Sequence, residues 1–227
     1  MIDKIKEHKS KIIIASILIL FGVVGRLTIT ELLPNTPSLY LNIGGMTQPI
    51  FMMDLFFIVA VIALLSGLLL GSYYAFIVPI SVILITDIII GNDYIFLFTW
   101  SGFAMIGLVG YILKAKNKFT IKKTPAIFGA GIGSVILYDV WTNFGCWLGW
   151  YPHNIAGLSA CFTVALPFML WHILSTTIAI AAIVIPIAYL KENKILELDY
   201  KVKPFEKPIS AILLAGIMFF SVAFIFI

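Results

Sequence analysis

The chain has 227 residues, 61% of them hydrophobic and only 11% charged, with a formal net charge of +4. A soluble domain of this size cannot hide so much apolar surface, and the long unbroken apolar runs do not have the alternation of barrel strands. The class implied is a polytopic α-helical membrane protein. Its positive charge sits in loops, where it has a topological explanation, so no nucleic-acid partner is expected.

The first helix is predicted over 11–31. Its basic start followed by Ile12–Ile29 superficially resembles a secretory signal, but no small-x-small cleavage site follows and Arg26 interrupts the end of the run. It reads as a retained span. The segment 32–50 holds Pro34, Pro37, Pro49 and the pair Gly44–Gly45, so it cannot cross lipid exposed. It is either a lid over the outer mouth or a plain surface loop. Further helices are predicted over 51–71, 73–90, 95–113 and 125–148. The apolar stretch 156–190 is longer than one crossing needs and contains Pro167. It is therefore divided into a short outer segment, 156–170, and a spanning helix, 171–190. A last run, 209–227, makes a seventh helix. The organisation expected is a six-helix membrane domain over 1–191, a cytoplasmic loop over 192–208 and an extra transmembrane helix over 209–227.

Of the 15 Lys and Arg residues, all but Arg26 fall before the first helix, between the fourth and fifth, or between the sixth and seventh. The positive-inside rule assigns those segments to the cytoplasm. The N-terminus is then cytoplasmic and the C-terminus extracellular, in a multi-pass protein of the cell membrane. The charges left over are Arg26, Glu31, Asp54, Asp87, Asp93 and Asp139, and all map to the outer half. The fifth helix carries the sharpest pattern. Asp139, Thr142, Asn143 and Cys146 are spaced i, i+3, i+4, i+7 and share one face. Lipid cannot satisfy such a stripe, so it must face protein or water. An ionisable group near the bilayer centre costs about 2.5–3.5 kcal/mol on insertion scales, so it is retained where it pairs or serves a function.

Several residues admit two readings. Arg26 pairs with Asp139 or Asp87 as structural glue, or it contacts a ligand. Trp147, Trp150 and Tyr151 form an interfacial aromatic belt or flat stacking surfaces. Trp141 lies deeper and fits the belt less well. His172 is a satisfied packing histidine or a ligand contact, and His153 reads as a loop residue. Cys146 and Cys161 are small packing residues or a disulfide. Gly67-x-x-x-Gly71, Gly129-x-x-x-Gly133 and the small residues Ala15, Ser16, Gly22 and Gly25 permit close helix contact. No nucleophile elbow, zincin, C-x-x-C or P-loop motif is present. No enzyme activity, cofactor or metal is therefore expected.

The stretches "PISVILITDIIIG" (79–91) and "WTNFGCWLGWYPHNIAGLSACFTVALPF" (141–168), with the helix order before residue 191, resemble a family of small prokaryotic membrane proteins of unknown function. That family is similar to the substrate-binding S components of energy-coupling factor transporters, the vitamin importers. The resemblance covers roughly 20–191. It implies a six-helix fold that captures a vitamin-like solute in an outer pocket, closed by loops. It also implies partners, a transmembrane T component and two ATPases. The matching positions are Asp87, Thr142, Asn143, Trp147, Tyr151, Cys161 and Pro167. The chain departs from S components in lacking an A-x-x-x-A patch on its first helix and in adding the seventh.

The expected function is a solute-capture subunit of a nutrient importer. Arg26, Asp87, Asp139, Trp141, Asn143, Trp147, Tyr151 and His172 are its candidate substrate-binding residues. Trp141, Trp147 and Trp150 would stack on the solute, and Asp87, Asp139 and Asn143 would orient its polar groups. The excess of outer acids favours a cationic or amine-bearing small organic molecule. The alternatives are a stand-alone ion- or proton-coupled carrier, with Asp87 and Asp139 as proton sites, and a membrane scaffold.

Overall fold

The computed structural model describes residues 2–32, 39–43, 46–50, 57–93, 95–116, 120–193, 195 and 206–225. Apart from one hairpin it is all-helical. The helices are α1 (Ile2–Leu32), α2 (Phe57–Leu69), α3 (Ser72–Ile90), α4 (Phe96–Ala115), α5 (Thr124–Trp150), α6 (Ile155–Ala179), α7 (Ile185–Glu192) and α8 (Glu206–Ile225). Among the described residues, five helical stretches are long and apolar enough to cross a membrane: Ser10–Thr28, Tyr73–Ile90, Phe96–Ala115, Ile121–Trp150 and Ile155–Glu192. The apolar helices Ile58–Leu69 and Leu214–Ile225 are shorter. The expected count of six spans plus one thus has five span-length members here.

Two sequence expectations are corrected. The division near Pro167 does not occur, because helix continues through Ile155–Glu192, 38 residues in all. Proline removes one backbone donor, and helices in apolar bundles tolerate this where neighbours and local adjustments re-satisfy the freed groups. The irregularity lies instead at a π-helical turn, Ile180–Val184, ahead of Pro186. The segment 32–50 is also not all loop. Strands β1 (Leu39–Ile43) and β2 (Met46–Ile50) pair antiparallel, Leu39 opposite Ile50 and Ile43 opposite Met46, and β2 lies against α6. Asp54 lies outside the described residues, as do parts of 32–50 and 192–208.

The core forms around α2, the shortest apolar helix of the body and the most enclosed. Val59, Ala63, Leu64 and Leu68 are at most 1% exposed. Burying α2 requires its neighbours to approach closely, and glycine makes that possible. A Cβ on Gly67 would stand 2.1 Å from the Gly107 carbonyl oxygen, and one on Gly110 would stand 2.2 Å from that of Leu64. A Cβ on Gly107 would stand 2.0 Å from the Ala75 oxygen, so α2, α3 and α4 meet backbone to backbone. On α1, a Cβ on Gly22 would press on Val82 and one on Gly25 on Ile58. The expected Gly67–Gly71 pair is half right: Gly71 is the turn residue between α2 and α3, with φ of 112°. Gly129 and Gly133 meet nothing within 4 Å, whereas Gly131 between them faces Ile180.

The helices alternate in direction, so the lysines collect at one end. Lys114, Lys116, Lys122 and Lys123 join the end of α4 to the start of α5, and Lys191 ends α7. There Lys114 donates to the Leu69 carbonyl at 2.6 Å, capping α2. α8 runs antiparallel to α4. Leu214 joins a second small core with Ala75, Phe76, Ala104 and Tyr111, and Phe224 meets Phe96 edge-on at 5.6 Å.

We expect Gly107→Ala to lower stability by about 1–3 kcal/mol through overpacking. Gly129→Ala should be neutral or slightly stabilising, by up to about 1 kcal/mol of helix propensity. Thermal unfolding of the two purified variants in one detergent checks the contrast.

Candidate functional site

At the end away from the lysines the bundle opens into a cavity of about 820 Å³. Among the described residues, five helices wall it. α1 contributes Arg26, α3 Ile83, α4 Thr99 and Phe103, α5 the run from Tyr138 to Trp150, and α6 Cys161 to His172. The α3–α4 connection, with Asn92 and Asp93, and Tyr151 complete it. The four residues of the predicted α5 stripe, Asp139, Thr142, Asn143 and Cys146, all reach this wall. Two of the stripe residues are also tied to the local backbone. The Asn143 amide donates to the Asp139 carbonyl at 2.7 Å, and the Thr142 hydroxyl to that of Tyr138 at 3.0 Å.

Among the described residues, two acid–base pairs, Asp139–His172 and Arg26–Asp87, flank the cavity. Asp139 is 1% exposed, and its Oδ1 lies 2.5 Å from His172 Nδ1 across the α5–α6 contact. The other carboxylate oxygen, Oδ2, is buried and has no hydrogen-bond partner among the described residues. The ring of His172 stands edge-on to that of Tyr138, with centroids 6.3 Å apart. The second pair joins α1 to α3. Arg26 Nη1 donates to Asp87 Oδ1 at 2.6 Å and also to the Thr86 hydroxyl. Asp87 Oδ2 accepts from Asn92 Nδ2 at 2.5 Å and from Trp100 Nε1 at 2.8 Å. Asp87 is thus saturated with donors, and Arg26 is directed at it.

Arg26, Asp139, Asn143, Tyr151 and His172 therefore share one wall. Asp87 stands behind Arg26 and holds it. Trp141 and Trp147 do not reach the cavity, so their expected stacking on a solute there is corrected. The Trp141 indole donates to Ser101 at 2.8 Å, and its ring packs on Phe98. Trp147 donates to the Pro152 carbonyl at 3.0 Å and braces the α5–α6 turn with His153. Of the three α5 tryptophans, Trp150 lines the cavity. Sequence reasoning missed Thr99, Phe103, Tyr138, Val164, Ala165 and Phe168. Most are apolar, and in so apolar a chain they carry no contrast.

At the rim, burial pushes the Tyr151 phenol above its ordinary value, with the Cys161 and Cys146 thiols adding to the shift. It is a neutral hydroxyl at physiological pH. Cys146 and Cys161 are free thiols on the same wall, and the Cys161 thiol donates to the Asn143 carbonyl at 3.4 Å. The hairpin β1–β2 adds no residue to the wall among those described. No cluster of three or more His, Cys, Asp or Glu able to hold a metal ion occurs among the described residues.

Span-length apolar helices around an apolar cavity, with a few fixed polar groups, define the class: an all-helical bundle compatible with a multi-pass membrane protein. The chain belongs to a family of unknown function, DUF6580, whose model matches residues 6–198. No curated protein and no solved structure matches it.

Arg26→Met strands Asp87 near the protein interior and should cost about 3 kcal/mol. The double variant Arg26→Met/Asp87→Asn should be more stable than the sum of the single losses predicts. A double-mutant cycle on thermal unfolding measures the coupling.

Proposed function

We propose that the protein is a membrane-embedded solute-binding subunit of a nutrient importer, taking a vitamin-like small organic molecule into the cavity from outside the cell. The observation that carries this reading is the cavity itself. At about 820 Å³ it suits a small organic ligand, and its wall is mostly apolar with a few placed polar groups. Its position supports the direction of capture. It opens at the end opposite the lysines, and lysine-rich ends are cytoplasmic by the positive-inside rule. In this reading the N-terminus is cytoplasmic, α8 ends outside, and the short helix α2 completes the six-helix body. The resemblance to S components of energy-coupling factor transporters adds the coupling partners, a T component and ATPases. That last step rests on the resemblance alone.

A second reading is favoured by one specific feature, the buried Asp139–His172 pair. Acid–imidazole pairs inside a bundle are the usual parts of proton relays, so the alternative is a stand-alone proton-coupled carrier. The two readings separate in proteoliposomes. A carrier drives uptake from a pH gradient with no ATPase present, and a capture subunit binds solute without accumulating it.

Native mass spectrometry of the gently purified protein tests the proposal most directly. One defined small organic molecule should be retained, and Val164→Trp, which fills the cavity, should release it while melting close to wild-type protein stripped of that molecule. A protein that stays empty in every preparation and conducts ions would overturn the reading. Sidedness has its own check: a cysteine placed at the exposed Tyr40 of the hairpin should react with an impermeant maleimide on intact cells. One placed at Lys122 should react only after lysis.

A further inference from the structure

The chain has two cysteines, and the fold brings both to the wall of the one cavity described above. Cys146 stands four residues before the end of α5, and Cys161 six residues after the start of α6. At 1.5 Å of rise per residue, both lie within about 10 Å of the turn that joins the two helices. That turn is tight. Gly157 precedes Cys161 by one turn on the same face of α6, and a Cβ on it would stand 2.1 Å from the Pro152 carbonyl oxygen. α6 therefore passes close to the end of α5 on the side that carries Cys161.

The thiols meet across this contact. Cys161 Sγ donates to the Asn143 carbonyl at 3.4 Å. In an α-helix a carbonyl oxygen lies about 3.5 Å from the Cα three residues ahead, and the residue three ahead of Asn143 is Cys146. Cys161 Sγ is thus no more than roughly 7 Å from the Cys146 Cα, near the spacing at which disulfides are made. The two thiols act on each other electrostatically, and both act on the Tyr151 phenol. We propose that Cys146 and Cys161 form a redox site, which a small-molecule disulfide outside the cell closes into a disulfide that fastens α5 to α6 at the cavity wall. Cys146 is the more open of the two, so its thiolate attacks the donor disulfide and expels one thiolate. Cys161 then attacks the Cys146 sulfur of the mixed disulfide and expels the second. The two protons lost by the protein end on the two departing thiols, and the protein dithiol is oxidised as the donor is reduced. The Asn143 carbonyl gives up only the thiol and stays within the helix.

The test incubates the full chain, reduced and folded in detergent, with oxidised glutathione. Thiols are counted with a maleimide after acid quenching and unfolding, so that burial does not hide them. The chain should stay monomeric and lose both reactive thiols, and dithiothreitol should restore them. The oxidised form should melt about 5–10 °C higher, because the link restrains the unfolded chain. Cys146→Ser and Cys161→Ser have no ring to close, so oxidised glutathione should raise the melt of neither. Two free thiols after oxidation, a glutathione adduct that persists on one cysteine, or a link between chains overturns the proposal. The source of the oxidant rests on the capture reading above, which places this end of the bundle outside the cell, and a second arm separates the two. Cells quenched with a permeant maleimide before lysis should yield the linked form. A link that forms in detergent and is absent from such cells keeps the redox site and overturns the outer placement of the cavity.

Discussion

An ionisable side chain inside an apolar bundle has to find its partner within the protein, because lipid offers none. Two such side chains organise this structure. Asp87 meets Arg26, and that pair fastens α1 to α3, with Trp100 of α4 joining through its indole. Asp139 meets His172, and that pair fastens α5 to α6. Each pair closes one seam. The space between the seams is left for the cavity.

The bundle closes tightly at one end and opens at the other, and the residues of α4 show why. Gly107 and Gly110, toward the lysine end, let the backbones of α2 and α3 come into contact. One turn and more toward the opposite end, Gly102 accommodates the ring of Tyr138 rather than a backbone. Beside it Phe103, and beyond it Thr99, turn to the cavity. A change from backbone contact to aromatic contact widens the spacing between helices, since interhelical distance follows side-chain size at the contact. A cavity at the end away from the lysines is therefore a packing consequence of where the small residues stop.

Much of this was readable in the sequence, for reasons that differ by element. The ranges of α3, α4 and α5 follow from long apolar runs ended by charge or glycine, and the structure keeps them within a few residues. The α5 stripe was readable because polar residues in an apolar helix stand out and their spacing fixes a face. The same arithmetic, applied to Trp141, would have corrected its assignment. Two residues beyond Asp139, it is turned by roughly 200° and points to the other side. Pro167 misled because the missing donor of one proline looks decisive in sequence, yet a packed apolar environment holds the helix together through it. Phe103, Tyr138 and Phe168 were not readable, because no local signal separates a ring that lines a cavity from one that packs a core.

That opposite face of α5 explains the last helix. The Trp141 indole reaches Ser101 on α4, and the Ser101 hydroxyl lies 3.3 Å from that of Ser221 on α8. Ser221 in turn donates to the Leu97 carbonyl at 3.0 Å and is fully buried. A hydroxyl in an apolar contact needs such a chain of partners, so α8 is held in register by hydrogen bonds and not by grease alone. α5 thus carries its polar stripe toward the cavity on one side and helps seat α8 on the other. The family match ends at residue 198, before α8 begins at Glu206. Among the described residues, the cavity draws no wall residue from α8. The helix therefore packs on the outside of the body that walls the cavity, attached through a tryptophan that the cavity does not use.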